Sequence, residues 1–524
     1  MGARRAPRRT GKHRDGWAHR RRPSDRERSS RKELGEKINR LERENKELRE
    51  KLAERDRQVA DAETQIAEQE KQIEDLERQL AGWKKNSRNS SKPPSSDRLR
   101  NQPRCHPQRK KSKRKPGGQK GHVGKHRPLV APERVDEVRS VWPRACKHCQ
   151  HPLAPEGEGL QTVGEPQRQQ VTELPPIRAH IIEYQCPKVL CPACGKGTRE
   201  PLPPEAVQPF GAQLTALIAY LTVVCRLPRR LAQECLASIL GIPVSLGSTQ
   251  KLWEETSEAV AAPYQVLEQQ LRQEPVLNGD DTGWSNNGEK RHIWALVAQG
   301  FVYYTVAKTR SYEVLVYLLG TLFTGILCSD RGGAFRKYRR LYEGPAQYCW
   351  AHLKRNLLGI LDFAKTTEAE RFCRNALALH ARLFRLWHRF QGGQIDREQL
   401  IDKSIPLQKR FFSLAVSHLD SQDRDVQNMA TALYGFCHRL FVFLEHPGVE
   451  PTNNSSERAL RIAVQWRKII FGNRSEKGEV AVARLLTVSR TCLMQRRSAL
   501  VYLAEAIHRH RCGQPPPPLL AWKQ

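Results

Sequence analysis

The sequence predicts a multidomain chain: an N-terminal coiled coil, a small zinc-binding domain, and an α/β region interrupted by a helical stretch. Three observations carry this. Apolar residues recur in heptads from Leu34 to Leu80. Two Cys-x-x-Cys knuckles follow, Cys146/Cys149 and Cys191/Cys194. Further on, short apolar runs that end in acidic residues alternate with helical patterns.

Size and charge bound the function. A chain of 524 residues holds several domains and buries a sizeable core. A net charge of +33 calls for a polyanionic partner, most simply nucleic acid. An anionic membrane surface competes, but no apolar stretch reaches the roughly 18–20 residues that span a bilayer. The Arg-rich start lacks the apolar segment of a secretory signal, so a cytoplasmic, nucleoid-associated protein is expected. Fourteen cysteines then read as thiols and metal ligands rather than disulfides.

Residues 1–33 read as a basic disordered arm: residues 1–32 hold thirteen Lys or Arg against three acids. Residues 34–84 read as a coiled coil. Its a positions are Ile38, Asn45, Leu52, Val59, Ile66, Ile73 and Leu80; its d positions are Leu34, Leu41, Leu48, Arg55, Ala62, Gln69 and Leu76. Asn45 at an a position favours a parallel homodimer in one register. Residues 85–128 are a Ser/Pro/Gly linker, with twelve cations and no acid between Arg98 and Arg127. Lys110, Lys111, Lys113, Arg114 and Lys115 are its candidate DNA contacts. Flexible cations of this kind hold backbone phosphate without reading sequence.

Residues 129–200 form the predicted zinc domain. Cys146, Cys149, Cys191 and Cys194 are the ligands, with Cys186 and His148 in reserve. Four thiolates make a closed, structural site. Strands over 169–174 and 180–185 are expected to fill the gap as a hairpin. Residues 201–272 read as helical. A helix, a glycine turn at Gly241 and a second helix capped by Ser245 give a helix-turn-helix pattern, for which ordinary helix packing competes with DNA reading.

Over 273–510 the predicted strands are 276–277, 292–298, 301–307 and 324–329, with a helix over 312–322. A helical insertion occupies about 356–450, and helices return over 456–510 with a break near 471–478. Residues 511–524 read as a loose Pro-rich tail. Asp280 and Asp330 each follow an apolar run, as at the end of a buried strand, and Glu457 opens a helix. Each alone fits a turn, a cap or a helix-dipole partner. Together they suit two Mg²⁺ or Mn²⁺ ions, which take hard oxygen ligands and can stabilise both oxygens of a phosphoryl transfer.

The words around these residues sharpen the choice. They are Asn89-Ser90-Ser91-Lys92-Pro93-Pro94 with Gly117-Gly118-Gln119-Lys120-Gly121-His122, the two cysteine knuckles, and Asp280-Asp281-Thr282-Gly283-Trp284. Ser329-Asp330-Arg331 with Cys349-Trp350-Ala351-His352-Leu353-Lys354-Arg355 follows. The last is Pro451-Thr452-Asn453-Asn454-Ser455-Ser456-Glu457-Arg458-Ala459-Leu460-Arg461. In this order they resemble the insertion-sequence-66 transposases, a bacterial branch of the DDE transposases. The resemblance implies an RNase H-like catalytic core with Asp280, Asp330 and Glu457 as its metal-binding triad. It implies cleavage at element ends, then joining of the 3′-OH to target DNA, and accessory proteins encoded by the same element. Lys354, Arg355, Arg458 and Arg461 become candidate DNA contacts. The family commonly carries Glu where this chain has Asp281, which makes Asp281 an alternative ligand. It often carries an aromatic residue where this chain has Gly332, a change expected to loosen the loop after Asp330. A transposase-derived DNA-binding protein, a zinc-dependent dimeric regulator and a structure-selective nuclease are the competing readings.

Overall fold

The structure is a computed structural model; it describes residues 25–86, 88–90, 121, 128–175 and 177–520. Most of the predicted arm, and the linker cations Lys110, Lys111, Lys113, Arg114 and Lys115, lie outside these residues. The chain divides into two compact units, Met1–Lys85 and Asn86–Gln524.

In the first unit, α1 spans Asp25–Lys84, 60 residues without a proline. It begins ahead of Leu34, so residues 25–33 are helical rather than part of a disordered arm. Nothing in that run of Arg, Glu, Lys and Ser stops a helix. The heptad side chains Leu34, Ile38, Leu41, Leu48, Leu52, Val59, Ile66, Ile73, Leu76 and Leu80 are all exposed along it.

The second unit starts, among its longer described stretches, with 128–200. Each cysteine knuckle closes as a local turn. Cys146 N donates to His151 O, and Gln150 N to Cys146 O, at 2.9 Å each. Cys191 N donates to Lys196 O (2.9 Å) and Gly195 N to Cys191 O (2.8 Å). The second turn joins β1 (Lys188–Leu190) to the antiparallel β2 (Gly197–Arg199). The expected strands at 169–174 and 180–185 do not form. Their apolar side chains have no second layer to pack on: Val171 is 84% exposed and Ile181 86%.

Four helices come next: α2 (Ala212–Val223), α3 (Arg229–Leu240), α4 (Leu246–Ala259) and α5 (Ala261–Gln270). The junction of α3 and α4 follows the sequence expectation. Gly241 takes the left-handed conformation that ends α3, and the Ser245 side chain accepts from Ser248 N to start α4.

The rest of the unit is a mixed sheet wrapped by helices. In chain order it runs β3 (Val276–Asn286), β4 (Glu289–Val297), β5 (Val302–Ala307), α6 (Tyr312–Leu319), β6 (Ile326–Ser329), α7 (Gly333–Leu341) and β7 (Ala346–Tyr348). Helices follow: α8 (Trp350–Asp362), α9 (Thr367–Gln391), α10 (Arg397–Val416), α11 (Arg424–Phe436), α12 (Val442–Glu445), α13 (Asn454–Ile470), α14 (Glu476–Met494) and α15 (Ala499–Arg511). The strand order is β5-β4-β3-β6-β7. The first three pair antiparallel, and β6 and β7 continue the sheet in parallel. One core joins the sheet to α13, α14 and α15. A second lies mostly among α8–α12, around Trp350, whose ring meets Phe411, Phe441, Phe384 and His380 edge-on.

Two expectations change, and the expected break after residue 470 holds. β3 does not stop after Leu277; β4 pairs with it as far as Asn286, so Asp280 and Asp281 sit inside the strand, opposite Ala295 and Trp294. Helix α13 ends in two left-handed residues, Phe471 and Gly472. A β-carbon on Gly472 would stand 2.3 Å from Ser285 O, so the loop lies directly on β3. There Asn473 N donates to Ser285 O (2.8 Å) and Trp284 Nε1 to Asn473 Oδ1 (2.6 Å). The described part of the Pro-rich tail, up to residue 520, is docked rather than loose, since Leu519 is buried and Tyr502 Oη donates to Pro517 O at 2.8 Å.

Candidate active site

Parallel pairing of β3 with β6 sets the geometry. Asn278 is in register with Cys328, so Asp280 and Asp330, each two residues on, come side by side. Successive strand residues face opposite sides of a sheet, so Asp280 and Asp281 diverge. Asp281 is buried against a guanidinium and an imidazole: Arg310 Nε lies 2.9 and 2.8 Å from its two oxygens, and His292 Nδ1 3.4 Å from one. Asp280 has no such partner. Burial, then the charge of Asp330, with smaller effects from Asp281 and Glu457, holds its carboxyl well above the usual carboxylate range. Burial also raises Asp281, against the pull of the Arg310 hydrogen bond and charge.

Asp330 is fixed by its loop. Gly332 N donates to Asp330 Oδ1 at 2.7 Å, and a β-carbon on Gly332 would stand 2.7 Å from the same oxygen. The glycine therefore allows the backbone to grip the carboxylate, the reverse of the loosening expected from sequence.

Glu457 is in the first turn of α13. Two contacts clamp that helix start. Asn453 Nδ2 donates to Gly279 O on β3 (2.8 Å), and Trp350 N at the start of α8 donates to Pro451 O (3.0 Å). Asn453 occupies the cap position but its side chain makes no cap bond; it ties helix to strand instead. Glu457 itself meets α8: Arg355 Nη2 lies 3.0 and 3.3 Å from its two oxygens, and His352 Nδ1 3.6 Å from one. Burial, then Arg355, pushes the His352 imidazole down, so it is neutral at pH 7. Cys349 Sγ accepts from Asn453 N at 3.2 Å. Cys349, His352 and Glu457 present donor atoms within 4.8 Å of one another. Among the described residues this is the one such group of three or more His, Cys, Asp or Glu.

Of the cations singled out in the sequence, Lys354, Arg458 and Arg461 are exposed beside this site, while Arg355 is spent on Glu457. Cys146 and Cys149 interact within their turn, as do Cys191 and Cys194 in theirs, but the two pairs do not form one ligand cluster. Trp284, Trp350 and Trp466 are core residues. Sequence reasoning missed Arg310 and His292, which no local motif ties to Asp281. A cleft of about 410 Å³ beside Asp281 is lined by Arg310, Tyr312, Gly332, Gly333 and Lys337, among others. No described helix is long and apolar enough to cross a membrane.

Residues 21–128 match a family of unknown function, DUF6444. The uncharacterized protein y4hP of Sinorhizobium fredii (strain NBRC 101917 / NGR234) is 23% identical over 420 residues, covering 72% of this chain and 73% of that protein. Residues 208–481, just over half of the chain, match the family described as Transposase IS66. With Asp280, Asp330 and Glu457 inside the matched span, the chain belongs to the IS66 family of transposases.

Proposed function

We propose that this transposase cuts DNA at the ends of its element and joins the freed 3′-OH ends to target DNA. Asp280, Asp330 and Glu457 would be the catalytic carboxylates, on an RNase H-like core. One observation carries the reading: strand register brings Asp280 beside Asp330 with no cation against it, and its carboxyl is raised by desolvation first and then by the charge of Asp330. Three carboxylates from β3, the end of β6 and the start of α13 would supply hard oxygen donors for divalent Mg²⁺ or Mn²⁺ once Arg355 releases Glu457. The strand order, three antiparallel strands followed by two parallel ones, supports the core assignment. Asp280 is preferred to Asp281 as the first ligand, because Arg310 and His292 already satisfy Asp281.

When bound, the two ions neutralise charge on the scissile phosphate and on the attacking and leaving oxygens. The chain's own residues do the rest. The Gly332 amide orients Asp330, and the Asn453 and Pro451 contacts orient Glu457. Arg355 must leave Glu457 for that carboxylate to act; at roughly one-quarter exposed, it has room to turn to the DNA backbone. Lys354, Arg458 and Arg461 hold phosphates alongside it. In the first step water adds to phosphorus as the P–O3′ bond breaks, leaving a 3′-OH and a 5′-phosphate. In the second, that 3′ oxygen attacks a target phosphodiester and displaces another 3′ oxygen. Around this centre we propose zinc on Cys146, Cys149, Cys191 and Cys194, dimerisation through α1, DNA contact by the linker cations, and dependence on accessory proteins.

The test uses the purified chain, Mg²⁺ and labelled DNA carrying the ends that flank its own gene. Nicks at the end boundary and joined strands, both absent with Asp280→Ala, are expected. Cutting that persists in Asp280→Ala removes Asp280 from the site.

A further inference from the structure

We infer that Cys349, His352 and Glu457 form a second metal site, one that takes a borderline or soft ion such as Zn²⁺ or Co²⁺ and switches the transposase off. The effect on activity rests on the reading of Glu457 as catalytic; the metal site itself does not.

The donor set differs in kind from the triad. A thiolate and an imidazole select Zn²⁺ or Co²⁺ over Mg²⁺, which prefers oxygen. The three donor atoms lie within 4.8 Å of one another, close enough for one ion with small side-chain adjustment. His352 Nδ1 is buried and makes no hydrogen bond, so an acceptor lone pair is available at the right place.

The backbone that carries them is held in advance. Cys349 N donates to Ser329 O (3.0 Å), which fixes the thiol beside the loop that carries Asp330. Cys349 is the cap residue of α8 and His352 is in its first turn, three residues on and so on the same side. The start of α13 is pinned to them by the bonds from Trp350 N to Pro451 O and from Asn453 N to Cys349 Sγ. Loading needs only two displacements. The thiol proton leaves to solvent as the S–metal bond forms, and Arg355 gives up Glu457. No oxidation or reduction is involved. Three protein ligands leave a fourth position for water.

The consequence is competition for one carboxylate. Glu457 cannot complete the oxygen set with Asp280 and Asp330 while it closes a set with Cys349 and His352. Micromolar Zn²⁺ therefore inhibits Mg²⁺-dependent cutting through this site.

The test is Co²⁺ titration of the full chain and of Cys349→Ser and His352→Ala, followed by bound-metal counting and the thiolate-to-cobalt absorption band. The Cys146–Cys194 knuckles contribute equally to all three and cancel. We expect each variant to bind one Co²⁺ fewer, with loss of part of the thiolate band in Cys349→Ser. Equal stoichiometry and equal spectra, in variants whose circular dichroism matches the parent, overturn the site. Loss of even an outer-shell partner costs about 10–100-fold in metal affinity. Half-inhibition of cutting by Zn²⁺, scaled to each protein's own zinc-free rate, should therefore shift at least about tenfold upward in Cys349→Ser. An unchanged half-inhibition overturns the switch. A chain that shows the extra Co²⁺ but never cuts DNA removes the transposition chemistry and leaves the metal site standing.

Discussion

Residues 128–200 and the sheet-centred region from Val276 onward both assemble ligand-type side chains, by opposite means. In the first, each cysteine pair is made by a turn of a few residues, and almost every side chain is exposed. In the second, strand register brings Asp280 beside Asp330, far apart in sequence, and helix clamps fix the start of α13 that carries Glu457, over a buried core. Packing can hold acidic groups together against their mutual repulsion. A turn without a core can only offer its thiols to an ion that completes the structure.

The hardest test of this contrast is Asp280→Ala, which should cut DNA cleavage by about 10³-fold or more, measured on end-bearing substrate. The same carboxyl has a stability cost. Its folded pKa is raised, so the penalty is absent below the unfolded value, about 3.9, and grows as pH rises through the folded one. Asp280→Asn should raise the melting temperature at neutral pH, and the gain should vanish in acid. A lower melting temperature at pH 7 would mean that Asp280 is not held against repulsion.

Next in size is Trp350→Ala, which empties the aromatic centre of the α8–α12 core. A loss of about 3–5 kcal/mol in denaturant unfolding is expected. Asn453→Ala removes one buried bond to β3 and should cost about 1–3 kcal/mol while lowering cleavage more than its stability loss explains. Smallest is zinc removal. Chelation, or Cys146→Ser with Cys194→Ser, should open residues 128–200 to proteases and leave the main melting transition in place. Joint melting of both regions would show that the knuckles also support the sheet.

What the sequence disclosed follows the same divide. Turn chemistry at Gly241 and Ser245, the helix Tyr312–Leu319 and the knuckles rest on neighbours within a few residues, and they were legible. The family was legible because the words around the three carboxylates are distinctive. The rest depends on distant partners. The length of β3 is set by β4, the satisfaction of Asp281 by Arg310, the role of Asn453 by Gly279, and the docked tail by Tyr502 and its neighbours. The missing hairpin at 169–185 failed for the complementary reason: alternation was present, but no second layer exists to reward it.

The close approach of Gly472 to Ser285 has a consequence at the level of populations. Mobile elements persist as many copies that drift independently. Any codon change that replaces Gly472 either adds a β-carbon only 2.3 Å from Ser285 O, in a left-handed backbone, or ends translation. Copies altered there would lose the latch between the glutamate helix and the aspartate strand while keeping all three acidic residues. Such silenced copies would pass for intact genes when judged by their catalytic residues alone.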